Sequence, residues 1–289
     1  MTLGRLVVGA LALGIVGVTA AAVGPTAAHS SPSFGPLPDH YLSFLEDGRS
    51  GAGSSSGLPG SLQDPNAPYD GGFHFMRIQY SSRRGGGGGF GRRRGGGGAM
   101  WAHDYPRADY NFLAILEETT NVFTSRRSSN VVGLSDPELF NYPVAYIVEP
   151  GAWTPSATDV EKLGEYLRKG GFLIVDDFRG YRDLDNLQFN LGQVLPELNM
   201  VAVEDADEIF DAFFRIIPRD VIPPYGYEPA AWYGIYEDND RSKRLMVIIN
   251  ANNDIAEYWE FSDRGWYSID LANEAYKLGV NYVIYGLTH

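Results

Sequence analysis

Residues 144–177 read VAYIVEPGAWTPSATDVEKLGEYLRKGGFLIVDD, and this stretch decides the fold. Val144-Ala145-Tyr146-Ile147-Val148 is a short apolar run set between Pro143 and Pro150, and Phe172-Leu173-Ile174-Val175 is a second. Apolar runs this short, without polar alternation, predict strands buried on both faces. Between them Thr154-Pro155-Ser156 opens a helix that reaches Lys169, with Val160, Leu163 and Leu167 on one face. Thr158 to Glu161 fits a capping pattern, and Gly170-Gly171 stops the helix. Strand, helix, strand in this form predicts parallel strands joined by a covering helix.

The flanking chain continues the pattern. Phe73 to Tyr80 alternates well enough for a strand, and Ala108 to Thr119 repeats Phe112, Leu113 and Leu116 at helical spacing. Further on come an amphipathic helix from Asp185 to Leu195, a short helix from Glu208 to Phe214 and a strong strand from Arg244 to Ile249. Ser268 through Tyr285 reads as a closing helix, with Ala272, Ala275, Tyr276 and Val280 recurring. No internal repeat is visible. The expected fold is α/β: three layers around a mostly parallel sheet, flavodoxin-like or class I glutamine-amidotransferase-like.

Composition narrows the chemistry. The 289 residues carry 36 acidic and 23 basic side chains, a net charge of −13, and no cysteine. Disulfides, thiolate metal sites and a cysteine nucleophile are thereby excluded. Residues 1–98 sum to +3 and residues 99–289 to −16, so the body is strongly acidic and no nucleic-acid partner is expected.

Arg5 followed by the uncharged apolar run Leu6 to Gly24, then Pro25-Thr26-Ala27-Ala28, matches a secretory signal over residues 1–28. An uncleaved membrane anchor is the rival reading, since the run is close to the ~20 residues that span a bilayer. Either way export is expected, to the periplasm or to a membrane-anchored position facing it. Residues 29–71, rich in Ser, Gly and Pro, read as a disordered linker, and residues 72–289 as the α/β domain.

In open α/β sheets ligands bind beyond the carboxyl ends of the strands. That rule selects Asp176-Asp177 after the strand 172–175, Glu149 after the strand 144–148, and Asn252-Asn253-Asp254 after the last strong strand. Of two adjacent aspartates at a strand end, one is expected to face the crevice and the other a neighbouring helix. Asp176, Asp177 and Asp254 would form an oxygen-rich site for a hard cation, Mg²⁺ or Ca²⁺, or supply acid/base groups. The competing reading is structural: one aspartate caps a loop, the other pairs with Arg179 or Arg182, and turn chemistry accounts for Asn-Asn-Asp. His103-Asp104 precedes the first body helix; sequence neighbours seldom form a catalytic dyad, so a loop packing Trp101 and Tyr105 is expected, with His103 as ligand or base the alternative. Asp109 reads as a helix-start carboxylate. His29, His40, His74 and His289 show no metal spacing.

A glycine tract spanning 81–99 interrupts the domain and carries Arg83, Arg84, Arg92, Arg93 and Arg94. It reads as a solvated loop offering an anion contact. Its glycines satisfy any glycine pattern and carry no nucleotide-binding information. No phosphate-binding loop with its lysine occurs.

Several of these segments resemble an uncharacterised bacterial family, domain of unknown function 4159. They are Phe75-Met76-Arg77-Ile78-Gln79-Tyr80, Trp101 with Tyr105-Pro106-Arg107-Ala108-Asp109, Gly170 to Asp177, Glu208-Ile209-Phe210 with Phe213-Phe214, Asn253-Asp254, and Asn273 to Asn281. The resemblance covers about residues 73–288 and implies a relative of class I glutamine-amidotransferase domains. In those enzymes a cysteine stands at the elbow; here Asp176-Asp177 takes a comparable place, so glutaminase activity is not expected. The leading expectation is a non-enzymatic module binding an envelope protein or small ligand, with membrane attachment through the N-terminal segment where that is uncleaved. An aspartate-based, cation-dependent hydrolase is the alternative. No cofactor beyond Mg²⁺ or Ca²⁺ is anticipated.

Overall fold

The two anchoring runs become adjacent parallel strands, β3 (Val144–Val148) and β4 (Phe172–Phe178), with Val144 opposite Phe172 and Val148 opposite Asp176. They lie within one sheet of seven strands in the computed structural model, which describes residues 66–82, 99–124, 129–226 and 228–289. The others are β1 (Met76–Gln79), β2 (Asn130–Gly133), β5 (Met200–Ala202), β6 (Ala231–Tyr236) and β7 (Leu245–Ala251), in the order β2-β1-β3-β4-β7-β6-β5. Five strands from β2 to β7 are mutually parallel, and β6 and β5 complete the edge antiparallel. The expected mostly parallel α/β sheet is present.

Helices cover both faces, which is why β3, β4 and β7 are buried along their whole length. On one side α2 (Ala157–Arg168) and α3 (Gly180–Val194) press Leu163, Leu167, Leu187 and Leu191 onto Ala145, Ile147, Leu173 and Val175. On the other lie α1 (Arg107–Thr119), α4 (Ile255–Phe261) and α5 (Ile269–Thr288). There Phe75 meets Phe112 at 5.2 Å between ring centroids, Phe112 stacks on Trp259 at 4.3 Å, and Phe172 contacts Tyr285. The period-2 alternation of β3 thus sends Tyr146 to one layer and Ala145 and Ile147 to the other.

Several boundaries move for local reasons. α2 is capped by Ser156, which accepts from the Asp159 amide while Asp159 returns the bond, so the box sits two residues earlier than Thr158–Glu161. Gly170, at φ +108°, does end that helix region. α3 starts at Gly180 rather than Asp185. The helix expected over 208–214 is only a 3₁₀ turn at Glu208–Phe210, capped by Asp207. β2, β5, β6 and α4 are additional elements. Asn66 and Ala67, inside the expected linker, hydrogen-bond to Val131 and Asn130, so the packed body reaches back to Asn66. Among the described residues no helix is long and apolar enough to cross a membrane; the apolar run at 6–24 lies outside them.

Candidate metal centre

The carboxyl edge of the parallel strands gathers the polar residues. β4 does not stop at Val175: it continues through Asp176-Asp177-Phe178, with the register against β7 shifting between Val175 and Phe178. The shift is a bulge in which Asp177 takes φ +55°, and it turns adjacent carboxylates to different places. Asp104 (φ +59°), Glu149 (φ +50°) and Asn252 (φ +56°) adopt the same left-handed conformation at this edge. Non-glycine residues held there cost free energy, and such residues concentrate at functional sites.

Asp176 faces inward. Its Oδ2 accepts from the Tyr146 hydroxyl at 2.8 Å and the Ile255 amide at 3.0 Å, its Oδ1 from Asn250 at 3.2 Å. It therefore closes the amino end of α4, where a carboxylate also complements the helix dipole. Asp177 turns instead towards the His103 loop and accepts from His103 Nδ1 at 2.7 Å. Asp254 is the N-cap of α4: Oδ1 accepts from the Glu257 amide at 2.9 Å, while the buried Oδ2 has no hydrogen-bond partner among the described residues.

The His103–Asp104 loop is held from beneath by Arg77, which is fully buried. Its Nη1 donates to the carbonyls of His103 at 2.9 Å and Trp101 at 3.3 Å; Nε and Nη2 grip Asp109 at 3.0 and 2.5 Å. Asp109 lies in the first turn of α1, as expected, but its work is to hold Arg77. The result is a compact group: one ligand atom each from His103, Asp104, Asp177 and Asp254, all within 4.8 Å of one another.

Negative charge dominates here. Arg179 is the cation alongside His103, 3.8 Å from Asp177 and 4.0 Å from Asp254, with its guanidinium over the Tyr225 ring. Burial and the Asp177 charge push Asp254 well above the usual carboxylate range. The same two causes raise Glu149 to about 8. Burial and the Asp104 charge raise Glu260 to about 7, and burial raises Glu257. Burial and Asp177 lift Asp176 to about 7 against the bonds from Tyr146 and Asn250. Burial pulls His103 down, but the carboxylates of Asp104 and Asp177 beside it outweigh that and hold the imidazolium well above its ordinary value. Asp177 goes the other way: burial raises it, and the His103 bond more than compensates.

A pH dependence follows. Raised carboxylates bind more protons in the folded chain than in the unfolded one, so without cations stability falls as pH rises from about 5 to about 8. The raised His103 has the same sign, its contribution full below the unfolded value of ~6.5 and declining progressively as pH rises towards the much higher folded value. The lowered Asp177 opposes them only in acid, where its contribution is lost. Urea denaturation in chelator is expected to give a lower midpoint at pH 8.5 than at pH 5.5; a higher one would contradict this charge balance.

The expected trio is thus divided. Asp177 and Asp254 come together, joined by His103 and Asp104, whereas Asp176 is turned into the core with its oxygens occupied. Asn253 is buried beside Asp254, its amide atoms without partners among the described residues. Trp101 and Tyr105 pack as expected, at 6.1 Å between centroids. His103 pairs by a hydrogen bond with distant Asp177 rather than with its neighbour, from which it lies 3.4 Å. Arg179 pairs with Asp177, while Arg182 turns to Asp183. The five tract arginines, Arg83, Arg84, Arg92, Arg93 and Arg94, lie outside the described residues. Glu257 and Glu260 were not anticipated, although Asp254, Glu257 and Glu260 at spacing three place carboxylates on one helix face.

No curated protein matches this chain. The model of a domain of unknown function, DUF4159, matches residues 75–287, which takes in every residue of the cluster, and the chain belongs to that family.

Proposed function

We infer that the domain is a divalent-cation-dependent hydrolase whose cation is held by His103, Asp104, Asp177 and Asp254. The observation that carries this is the group itself: three buried carboxylates and an imidazole within 4.8 Å, with Asp104 Oδ2 and Asp254 Oδ2 buried and without hydrogen-bond partners among the described residues. Buried anionic oxygens without donors are costly, and a cation relieves that cost. One imidazole among carboxylates suits Mn²⁺ better than Mg²⁺ or Ca²⁺, both of which favour oxygen ligands.

The order of the five parallel strands, with β1 between β2 and β3 and β4 and β7 beyond, supports a flavodoxin-like or class I glutamine-amidotransferase-like fold. It sets a topological switch point between β1 and β3, where ligands bind in such sheets. The N-terminal apolar run supports an exported site.

A bound divalent cation makes a water acidic near neutral pH and polarises an ester oxygen. Glu149, at the end of β3 and raised to about 8 by burial and the Asp177 charge, would take the proton of the attacking water and pass it to the leaving group. Arg179 supplies the positive charge that would orient an anionic substrate. The His103 side chain, 41% exposed, leaves the group open to the crevice.

The test is turnover of a panel of chromogenic phosphate and carboxylate esters by the full chain. Release is expected to require Mn²⁺ or Mg²⁺ and to fall about 10²–10⁴-fold in Glu149→Gln, the usual share of general acid–base catalysis. Cation binding without turnover on any ester would leave a cation-dependent binding module, the non-enzymatic reading.

A further inference from the structure

A second group shares a member with the first. Asp104, Glu257 and Glu260 also offer ligand atoms that all lie within 4.8 Å of one another, and Asp104 alone belongs to both sets. Its side chain is only 2% exposed, sits 3.4 Å from His103 on the first side, and its Oδ2 lacks a hydrogen-bond partner among the described residues. A carboxylate has two oxygens and lone pairs enough for two cations. Helix geometry supplies the rest: Glu257 and Glu260 follow the capping Asp254 at three-residue intervals, so they project from the face of α4 nearest Asp104. Glu257 Oε1 accepts from the Tyr267 hydroxyl at 2.8 Å, which fixes that side chain.

We propose that the centre is dinuclear, with a second divalent cation held by Asp104, Glu257 and Glu260 and with Asp104 as the bridging carboxylate. The proposal rests on the cation site of the preceding section and adds a second ion to it. One shared carboxylate fits the ~3.5–4 Å separation of two-cation hydrolytic sites, in which both ions contact the reacting group.

The test uses the full chain and Mn²⁺ as the probe, with the bound ions counted after gel filtration and their spin coupling read by electron paramagnetic resonance. Wild type is expected to hold two Mn²⁺ per chain with a spin-coupled spectrum. Glu260→Gln, and separately Glu257→Gln, is expected to halve the bound Mn²⁺ and leave an uncoupled spectrum, with circular dichroism unchanged. Asp177→Asn is expected to weaken the first position while the second still binds. One uncoupled Mn²⁺ in wild type, insensitive to both glutamate substitutions, would overturn the second position and leave the first standing. No bound Mn²⁺ at all would overturn both.

Discussion

At about one hundred times its dissociation constant, Mn²⁺ is expected to raise the melting temperature of the protein by roughly 5–10 °C. A ligand that binds only the folded state at that concentration contributes about 2.7 kcal/mol, and each kcal/mol moves a domain of this size by about 2–4 °C. The residues that bring this about are separable. Asp254→Asn keeps the α4 cap, because asparagine accepts the Glu257 amide as well as aspartate does, yet it removes a raised carboxylate whose Oδ2 has no donor among the described residues. This variant should therefore be more stable than wild type without cation and should lose most of the cation shift. Asp177→Asn should lose the shift as well. Asp176→Asn should keep it, since the oxygens of Asp176 are engaged by Tyr146, Asn250 and the amino end of α4. Differential scanning calorimetry with and without chelator distinguishes these outcomes. A shift abolished by Asp176→Asn and untouched by Asp177→Asn would mean that the wrong member of the aspartate pair has been assigned to the cation.

Replacing Arg77 by methionine is expected to cost about 3–5 kcal/mol, the usual consequence of leaving one partner of a buried ion pair alone. Arg77 and Asp109 are both fully buried, and among the described residues Asp109 would keep only the Ser129 hydroxyl as donor. The melting temperature should fall by about 10 °C or more. Combining Arg77→Met with Asp109→Asn should recover part of the loss, because no buried charge then stands unpaired. The double variant should still bind the cation more weakly, since the bond from Arg77 to the His103 carbonyl is gone and the loop presenting His103 and Asp104 has lost its anchor. Urea denaturation measures the first effect and Mn²⁺ titration the second. A loss under about 1 kcal/mol for Arg77→Met would show that the guanidinium is not the support described.

How far the site was legible depends on what each residue signals. Strands β3, β4 and β7 are continuous apolar runs, so their burial and direction could be read directly, and with them the place where Asp177 and Asp254 stand. That the adjacent aspartates would face different ways also followed from strand geometry. Which one joins the cluster could not be read, because the bulge at Asp177 is set by pairing with β7, far away in the chain. His103 gives a weak signal for a related reason: its hydrogen-bond partner Asp177 is 74 positions on, and the loop that carries it is anchored by Arg77, also distant in the chain. Glu257 and Glu260 needed one prior fact, that a helix starts at Asp254. Three carboxylates at spacing three then become a face, whereas in a turn they would be scattered. Short strands such as β2 and β5 carry too few residues for any period to show.

The proposed cation lies between β4, the start of α4 and the His103 loop. Diffraction from crystals grown with Mn²⁺, recorded at the manganese absorption edge, tests it most directly. An anomalous peak is expected, bonded to His103, Asp104, Asp177 and Asp254 at metal–ligand distances of about 2.0–2.6 Å. A map with no peak at this group, or with the peak on Asp176 instead, would contradict it.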